Sequence, residues 1–253
     1  MGKVICITNQ KGGVGKTTTT VNLSSCLAAI EKKTLLLDMD PQGNSSSGVG
    51  LDKNQSEPNI YQVLMGEAPI QEAIRSTELE KLFCVTSNSH LTGAEVELVG
   101  MENREYRLKR ALEPILDQFD FILIDCPPSL GFLTLNALTA AHSVLIPIQS
   151  EYYALEGLSS LMETIDLVRE SLNPSLEIEG ALLTMYDSRT RLSTQVSDEV
   201  KKFFGNKVYQ TVIPRNVQLS ESPSFGKPII LYDIRSSGAQ AYLNLTKEVV
   251  AHE

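Results

Sequence analysis

The chain has no CxxC pair among its four cysteines, Cys6, Cys26, Cys84 and Cys126, so the ligand spacing that metal-cluster chemistry needs is missing. Cys6 and Cys126 lie in or beside apolar runs that read as central strands, and the thiols are expected to be buried in a reducing compartment. The three histidines, His90, His142 and His252, are scattered. They give neither metal-site spacing nor a triad partner, and structural roles are expected for them. No apolar run approaches the ~18 residues of a membrane span, and no signal peptide precedes the first apolar run, so a cytoplasmic location is expected. Internal repeats, low-complexity blocks and dividing linkers are also absent, which predicts a single domain over residues 1–253, long enough to bury a substantial core.

Apolar residues make up 42% and charged residues 21% of the chain, with a net charge of −9. An acidic protein is an unpromising ligand for nucleic acid, but the imbalance is local. Met1 to Leu172 carries 13 basic and 22 acidic residues, whereas Asn173 to Glu253 carries nine of each.

The most informative stretch is KVICITNQKGGVGKTTTTVNLSSCLAAI, Lys3 to Ile30. A β-branched apolar run (Val4, Ile5, Ile7) meets glycines at 12, 13 and 15, then resumes with Leu23, Leu27 and Ile30 at helical spacing. Strand, loop and helix in that order suit phosphate. Glycines let successive backbone N–H groups turn inward, and the helix start adds unpaired N–H groups and a positive dipole end. Lys16 brings a mobile charge for β and γ phosphates, and the Thr17 hydroxyl is placed to ligate magnesium. The pattern GxxxxGK[ST] is broken, because Gln10 stands where its first glycine belongs, and a second lysine, Lys11, opens the loop instead.

Thr34 to Asp40 (TLLLDMD) and Phe119 to Asp125 (FDFILID) are continuous apolar runs that end in carboxylates, as strands covered on both faces would. Ligands of parallel sheets sit at the strands' carboxyl ends, which brings Asp38, Asp40 and Asp125 toward the phosphates. For Asp38 and Asp40 alone, turn chemistry and catalysis remain equally open. Asp125 suits a magnesium-binding strand end, with Pro127 and Pro128 stopping the strand and Gly131 turning the chain into a helix. Further strands are expected near Leu82 to Thr86, at Val144 to Pro147, Glu179 to Thr184 and Lys207 to Pro214. Helices are expected at Ile60 to Met65, Ile70 to Arg75, Asn103 to Gln118, Leu155 to Leu172, Leu192 to Phe204 and from about Gly238. Gly43 to Asn59 reads as a long surface loop. The basic cluster Arg104, Arg107, Lys109 and Arg110 reads as a solvated face, with a contact surface as the other possibility. The alternation of strands and helices predicts an α/β fold built from βαβ units.

KGGVGKTTT, DMDPQGN, IDCPPS and VIPRNVQLSESPSFGKPI together resemble the ParA/MinD family of deviant Walker A ATPases, and within it the ParA/Soj partition branch. The resemblance covers nearly the whole chain. It implies a doubly wound, mostly parallel sheet with helices on both faces, of the P-loop NTPase type, with ATP and Mg2+ as cofactors, a sandwich homodimer on ATP binding, non-specific binding of double-stranded DNA, nucleoid association, and hydrolysis stimulated by a ParB/Spo0J-type partner. By the same resemblance Lys11 acts across the dimer, and Gly12, Gly13, Val14, Gly15, Lys16, Thr17 and Thr18 form the phosphate loop. Asp40 positions the attacking water, Asp38 is its neighbour in the same switch and a candidate metal ligand with Thr17 and Asp125, and Pro214 and Asn216 border the adenine base. The first strand begins at Lys3, as in short members that lack an N-terminal DNA-reading extension. DNA-face candidates are Arg189, Arg191, Lys201, Lys202, Arg215, Lys227 and Arg235, each as readily a solvated cation; Arg189 comes first, because its loop matches a DNA-binding loop of the family. A MinD-like membrane-associated positioning ATPase is the alternative. The last helix would then need a basic amphipathic face, and it offers Lys247 against Glu248 and Glu253, so no membrane partner is expected.

Overall fold

The computed structural model describes residues 2–151 and 158–251. Seven strands form one sheet in the order β3, β4, β2, β5, β1, β6, β7. They are β1 (Lys3–Ile7), β2 (Thr34–Asp38), β3 (Ile74–Ser76), β4 (Leu82–Val85), β5 (Phe121–Asp125), β6 (Ser143–Gln149) and β7 (Glu177–Thr184). Only β3 runs antiparallel to its neighbour. The chain moves outward from β1 to β2 on one side and later to β6 on the other, so the order reverses beside β1, where open α/β sheets hold their ligands. Every residue of β2 and β5 is buried, which accounts for runs that are apolar without alternation.

Alternate strand residues feed two layers. Val4 and Cys6 point into one core and Ile5 and Ile7 into the other. The first core is covered by α3 (Ile60–Met65), α4 (Ile70–Ala73), α5 (Leu91–Glu97), α6 (Arg107–Leu112), α7 (Phe132–Ala140), α8 (Leu158–Ser171) and α9 (Arg191–Phe204). The second lies under α1 (Lys16–Ala29), α10 (Val217–Glu221), α11 (Ile229–Tyr232) and α12 (Ser237–Ala251), with α2 (Asn44–Gly48) beside α1. Tyr242, Leu245 and Val249 of α12 are buried in that second core. Among the described residues no helix is long and apolar enough to cross a membrane. All four cysteines are buried thiols.

Four expectations need correction. Gly43 to Asn59 is not all surface loop, since it contains α2, whose Ser45 and Ser46 are fully buried. Asn103 to Gln118 is not one helix: Pro114 has no N–H to donate back to the preceding turn, and α6 is flanked by 3-10 segments. Its basic cluster is only partly solvated, for Arg104 donates to Val99 O and lies over the Phe132 ring while Arg107 donates to Leu64 O. Lys207 to Pro214 forms no regular strand; it touches the sheet through two isolated bridges, Ala181 to Val208 and Tyr186 to Pro214. Backbone bonds from Ala181 N to Lys207 O, Tyr209 N to Ala181 O and Ile213 N to Leu183 O lay it along β7. Of the helix expected from Leu155, residues 155–157 lie outside the described residues.

His142 has the structural role expected of it. Its backbone N–H donates to Val4 O, and its Nδ1 accepts from Val4 N at 2.9 Å. That bond needs the neutral ring, and burial, aided by Lys109 and Lys3, holds the imidazole below its ordinary value of 6.5. In acid the unfolded chain then binds a proton that the folded chain refuses, so this contribution to stability is present above about pH 6.5 and lost as pH falls through the lowered folded value. Urea midpoints of wild type and His142→Asn at pH 7.5 and 5.5 are expected to show the larger acid loss in wild type. Equal losses would remove His142 as the cause.

Candidate nucleotide site

The loop after β1 is fastened before it reaches any ligand. Asn9 Nδ2 donates to Pro147 O at 2.8 Å, and Asn9 Oδ1 accepts from Lys11 N at 3.0 Å. Thr184, ending β7, donates to Val14 O at 2.8 Å. Gly13 and Gly15 take φ of 75° and 89°, a region other residues enter only with strain. Gly12 and Gly13 are exposed, and a Cβ at either would meet nothing within 4 Å. The result is an open cradle of backbone N–H groups at the start of α1.

Lys16 is buried and donates from Nζ to Lys11 O at 3.1 Å. Burial lowers its pKa, and the carboxylates of Asp125 and Asp40 oppose that shift. Lys11 itself is half-exposed at the loop entrance.

Asp125 ends β5 directly opposite both Ile7 and Asp38. It is wholly buried, and its oxygens accept from hydroxyls: Ser45 Oγ at 2.6 Å, Thr20 Oγ1 at 3.3 Å, and Thr17. Burial and the nearby Asp40 push its pKa up, while those hydroxyls and Lys16 pull it back. A buried carboxylate so placed attracts cations. Thr17 and Asp125 are hard oxygen donors, and magnesium takes only one or two such protein ligands, filling its octahedron with phosphate oxygens and water. Among the described residues no cluster of three or more His, Cys, Asp or Glu could hold a metal ion.

Asp38, named with Thr17 and Asp125 as a metal ligand, is placed differently. Its oxygens accept from Asp40 N at 3.1 Å and from Ser46 N and Oγ at 2.8 and 2.7 Å. It therefore anchors the turn and α2. Asp40 is half-buried, accepts from Gln42 N at 2.9 Å and lies close enough to bias Lys16 and Asp125.

Beside the loop lies a cleft of about 300 Å³ lined by Gly15, Thr18, Met185, Pro214, Asn216 and Tyr242, among others. Pro214 and Asn216 thus border one pocket with the loop. Asn216 also builds its wall, since Oδ1 caps α10 by accepting from Leu219 N and Nδ2 donates to Ser237 Oγ. Met185 holds φ at 49°, strain concentrated at the cleft edge. Ser45, Ser46, Thr20 and Thr184 escaped the sequence reading. The only signals for Thr20 and the two serines were the runs TTTT and SSS, which read as helix start and loop, and Thr184 read only as the end of a strand.

The seven candidate DNA cations do not share one patch. Arg189 and Arg191 sit where α9 begins, whereas Lys201 and Lys202 close it about 15 Å along its axis. Lys227 and Arg235 flank α11 on the opposite layer, and Arg215 lines the cleft with Glu151 3.5 Å from it. Arg189, 87% exposed, forks onto Asp187 at 2.9 and 2.7 Å. That cation draws the Asp187 pKa down to about 2.

A family model described as an AAA domain matches residues 2–178. The sporulation initiation inhibitor protein Soj of Bacillus subtilis is 60% identical over 252 residues, covering 100% of both chains. The chromosome partitioning protein ParA of Myxococcus xanthus is 57% identical over 253 residues, covering 100% of this chain and 89% of its own. Among solved structures, cobyrinic acid a,c-diamide synthase from Mycobacterium smegmatis with bound ADP and magnesium superposes with a TM-score of 0.87 at 37% identity, over 100% of this chain and 95% of that one.

If Asp38 anchors rather than ligates, Asp38→Ala orphans three donors and should cost about 1–3 kcal/mol of stability and slow turnover through Asp40. Magnesium should still tighten nucleotide binding to this variant as much as to wild type. Loss of that magnesium effect, measured by calorimetry, would restore Asp38 as a ligand.

Proposed function

The chain belongs to the family of ParA and Soj chromosome-partitioning ATPases, and from that premise we propose that it binds ATP with magnesium, closes into a sandwich homodimer, holds duplex DNA without sequence preference, and lets go on hydrolysis stimulated by a ParB-type partner. Its place would be the cytoplasm, on the nucleoid. One observation supports this above the rest: the glycine cradle, Lys16, Thr17, Asp125 and the Asp40 turn converge at the carboxyl ends of β1, β2 and β5, beside a cleft of base size.

Within that reading the cradle and Lys16 hold the phosphates, and Thr17 with Asp125 holds magnesium, which neutralises phosphate charge. Asp40 orients the attacking water. Phosphoryl transfer asks little of a protein beyond position and charge. Lys11 is redundant for its own phosphates, because Lys16 serves them, and its place at the loop entrance suits contact with a partner's nucleotide. The membrane alternative gains nothing from α12, whose apolar stripe is spent on the core and whose Glu248 accepts from Gln210 N and Thr211 N at 2.8 Å.

Asp40→Ala should bind ATP, dimerise and fail to turn over. Lys11→Ala should bind ATP and neither dimerise nor hydrolyse, an added cation in trans being worth about 10³ to 10⁵ in rate where arginine fingers supply it. Mixing the two should restore turnover, since one site of the mixed dimer keeps Asp40 and receives Lys11 from its partner. Wild-type hydrolysis by Asp40→Ala, or a wild type that stays monomeric in saturating ATP, would refute these assignments.

DNA affinity should be higher with ATP than with ADP and fall with salt at about −0.9 in log–log slope per neutralised phosphate. Arg189→Glu should weaken it, and Asp187→Asn, which lifts the competing charge from Arg189, should strengthen it. Filter binding across a salt series checks both. Indifference to Arg189→Glu would remove the α9 loop from the interface.

A further inference from the structure

Helix α2 is attached to the chemistry by its serines. Ser45 Oγ donates to Asp125 Oδ2 at 2.6 Å, and Ser46 donates to Asp38 from both N and Oγ. Both serines are fully buried. At its other end α2 is wedged rather than bonded. A Cβ at Gly48 would stand 3.1 Å from Val21 of α1, and one at Gly50 would stand 3.0 Å from Gly226 O. Between these supports the segment is short: Asp40 lies five residues before Ser45, and Gly43 N donates to Asp40 O at 2.9 Å. A shift at Ser45 therefore moves the Asp40 turn with little slack.

The two serine anchors differ in kind. The Asp38 anchor is built on a carboxylate that accepts from the Asp40 and Ser46 backbone as well as from a hydroxyl. The Ser45 anchor is built on the carboxylate that, on the reading above, holds magnesium. Charge shared with a cation is withdrawn from a hydrogen bond, so the Ser45 bond is strong only while Asp125 gives its charge to hydroxyls. We propose that Ser45 is a positioning residue: it couples cation occupancy at Asp125 to the position of α2, and so to the orientation of Asp40. This rests on the assignment of Asp125 as a magnesium ligand.

The chain has no tryptophan, and Asn44, which opens α2, is exposed, so Asn44→Trp makes a single fluorescent reporter on the helix. ADP serves as the nucleotide, which removes hydrolysis and the γ phosphate from the measurement. Magnesium titrated into the ADP-bound reporter should shift its emission; the shift should vanish on adding Ser45→Ala and return with Ser45→Thr. Without the reporter, Ser45→Ala should lower kcat about 10- to 100-fold, the scale of a misplaced reacting group, at nearly unchanged KM. Calorimetry run alongside separates the possible failures. If magnesium tightens ADP binding in both backgrounds while the emission shift survives Ser45→Ala, the coupling is refuted and the site assignment stands. If magnesium tightens ADP binding in neither, the assignment of Asp125 falls and the coupling falls with it.

Discussion

A carboxylate sealed at the end of a central strand is the constraint on which this structure turns. Taking an ionised Asp125 out of water is costly unless its charge is met, and the molecule meets it with neutral hydroxyls from α1 and α2 and with the partly desolvated ammonium of Lys16. None of these donors can be near Asp125 unless β1, β2 and β5 lie side by side with their carboxyl ends level, as the pairing of Asp125 with Ile7 and with Asp38 makes them. Electrostatics at one point thus selects a strand order, and the strand order places the glycine loop. The site is polarised toward a cation before one arrives, which is what preorganisation for charge requires.

The outer parts tune what the centre fixes. Thr184 of β7 clips the loop, so a strand two places from β1 restrains the phosphate cradle, and Met185, held under backbone strain, begins the cleft wall immediately after it. The same scaffold superposes on a synthase from another organism. A shared fold leaves the task open; here the task follows from Lys11 at the loop mouth, the Asp40 turn and relatives named for chromosome partitioning.

Strands buried on both faces were legible in the sequence because their hydrophobicity is continuous, and the carboxylates gathered at the strand ends were legible because they close such runs. Lys16, Thr17 and Asp125 needed only spacing. What stayed hidden depended on partners distant in sequence. NSSSG has the composition of a loop, and nothing local says that Ser45 and Ser46 will be buried against Asp125 and Asp38, 80 and eight residues away. Asp38 was read as a ligand because strand ends point at ligands; that its oxygens also hold the turn from Asp40 to Ser46 depends on how the chain folds back there. Basic residues close together in sequence scattered because α9 is long enough to carry its two ends apart, and because the chain changes layers after β7.

The irregular segment along β7 sets how copies of this molecule can meet. A seven-stranded sheet offers two open margins, each a template for strand addition and runaway polymerisation. Here one margin is occupied by residues 207–213, bonded to Ala181 and Leu183, and the other ends in the three-residue, reversed β3, with Arg75 turned onto nearby backbone carbonyls. Growth by sheet extension is closed at both sides. The dimer proposed above would therefore have to use surfaces other than the sheet margins.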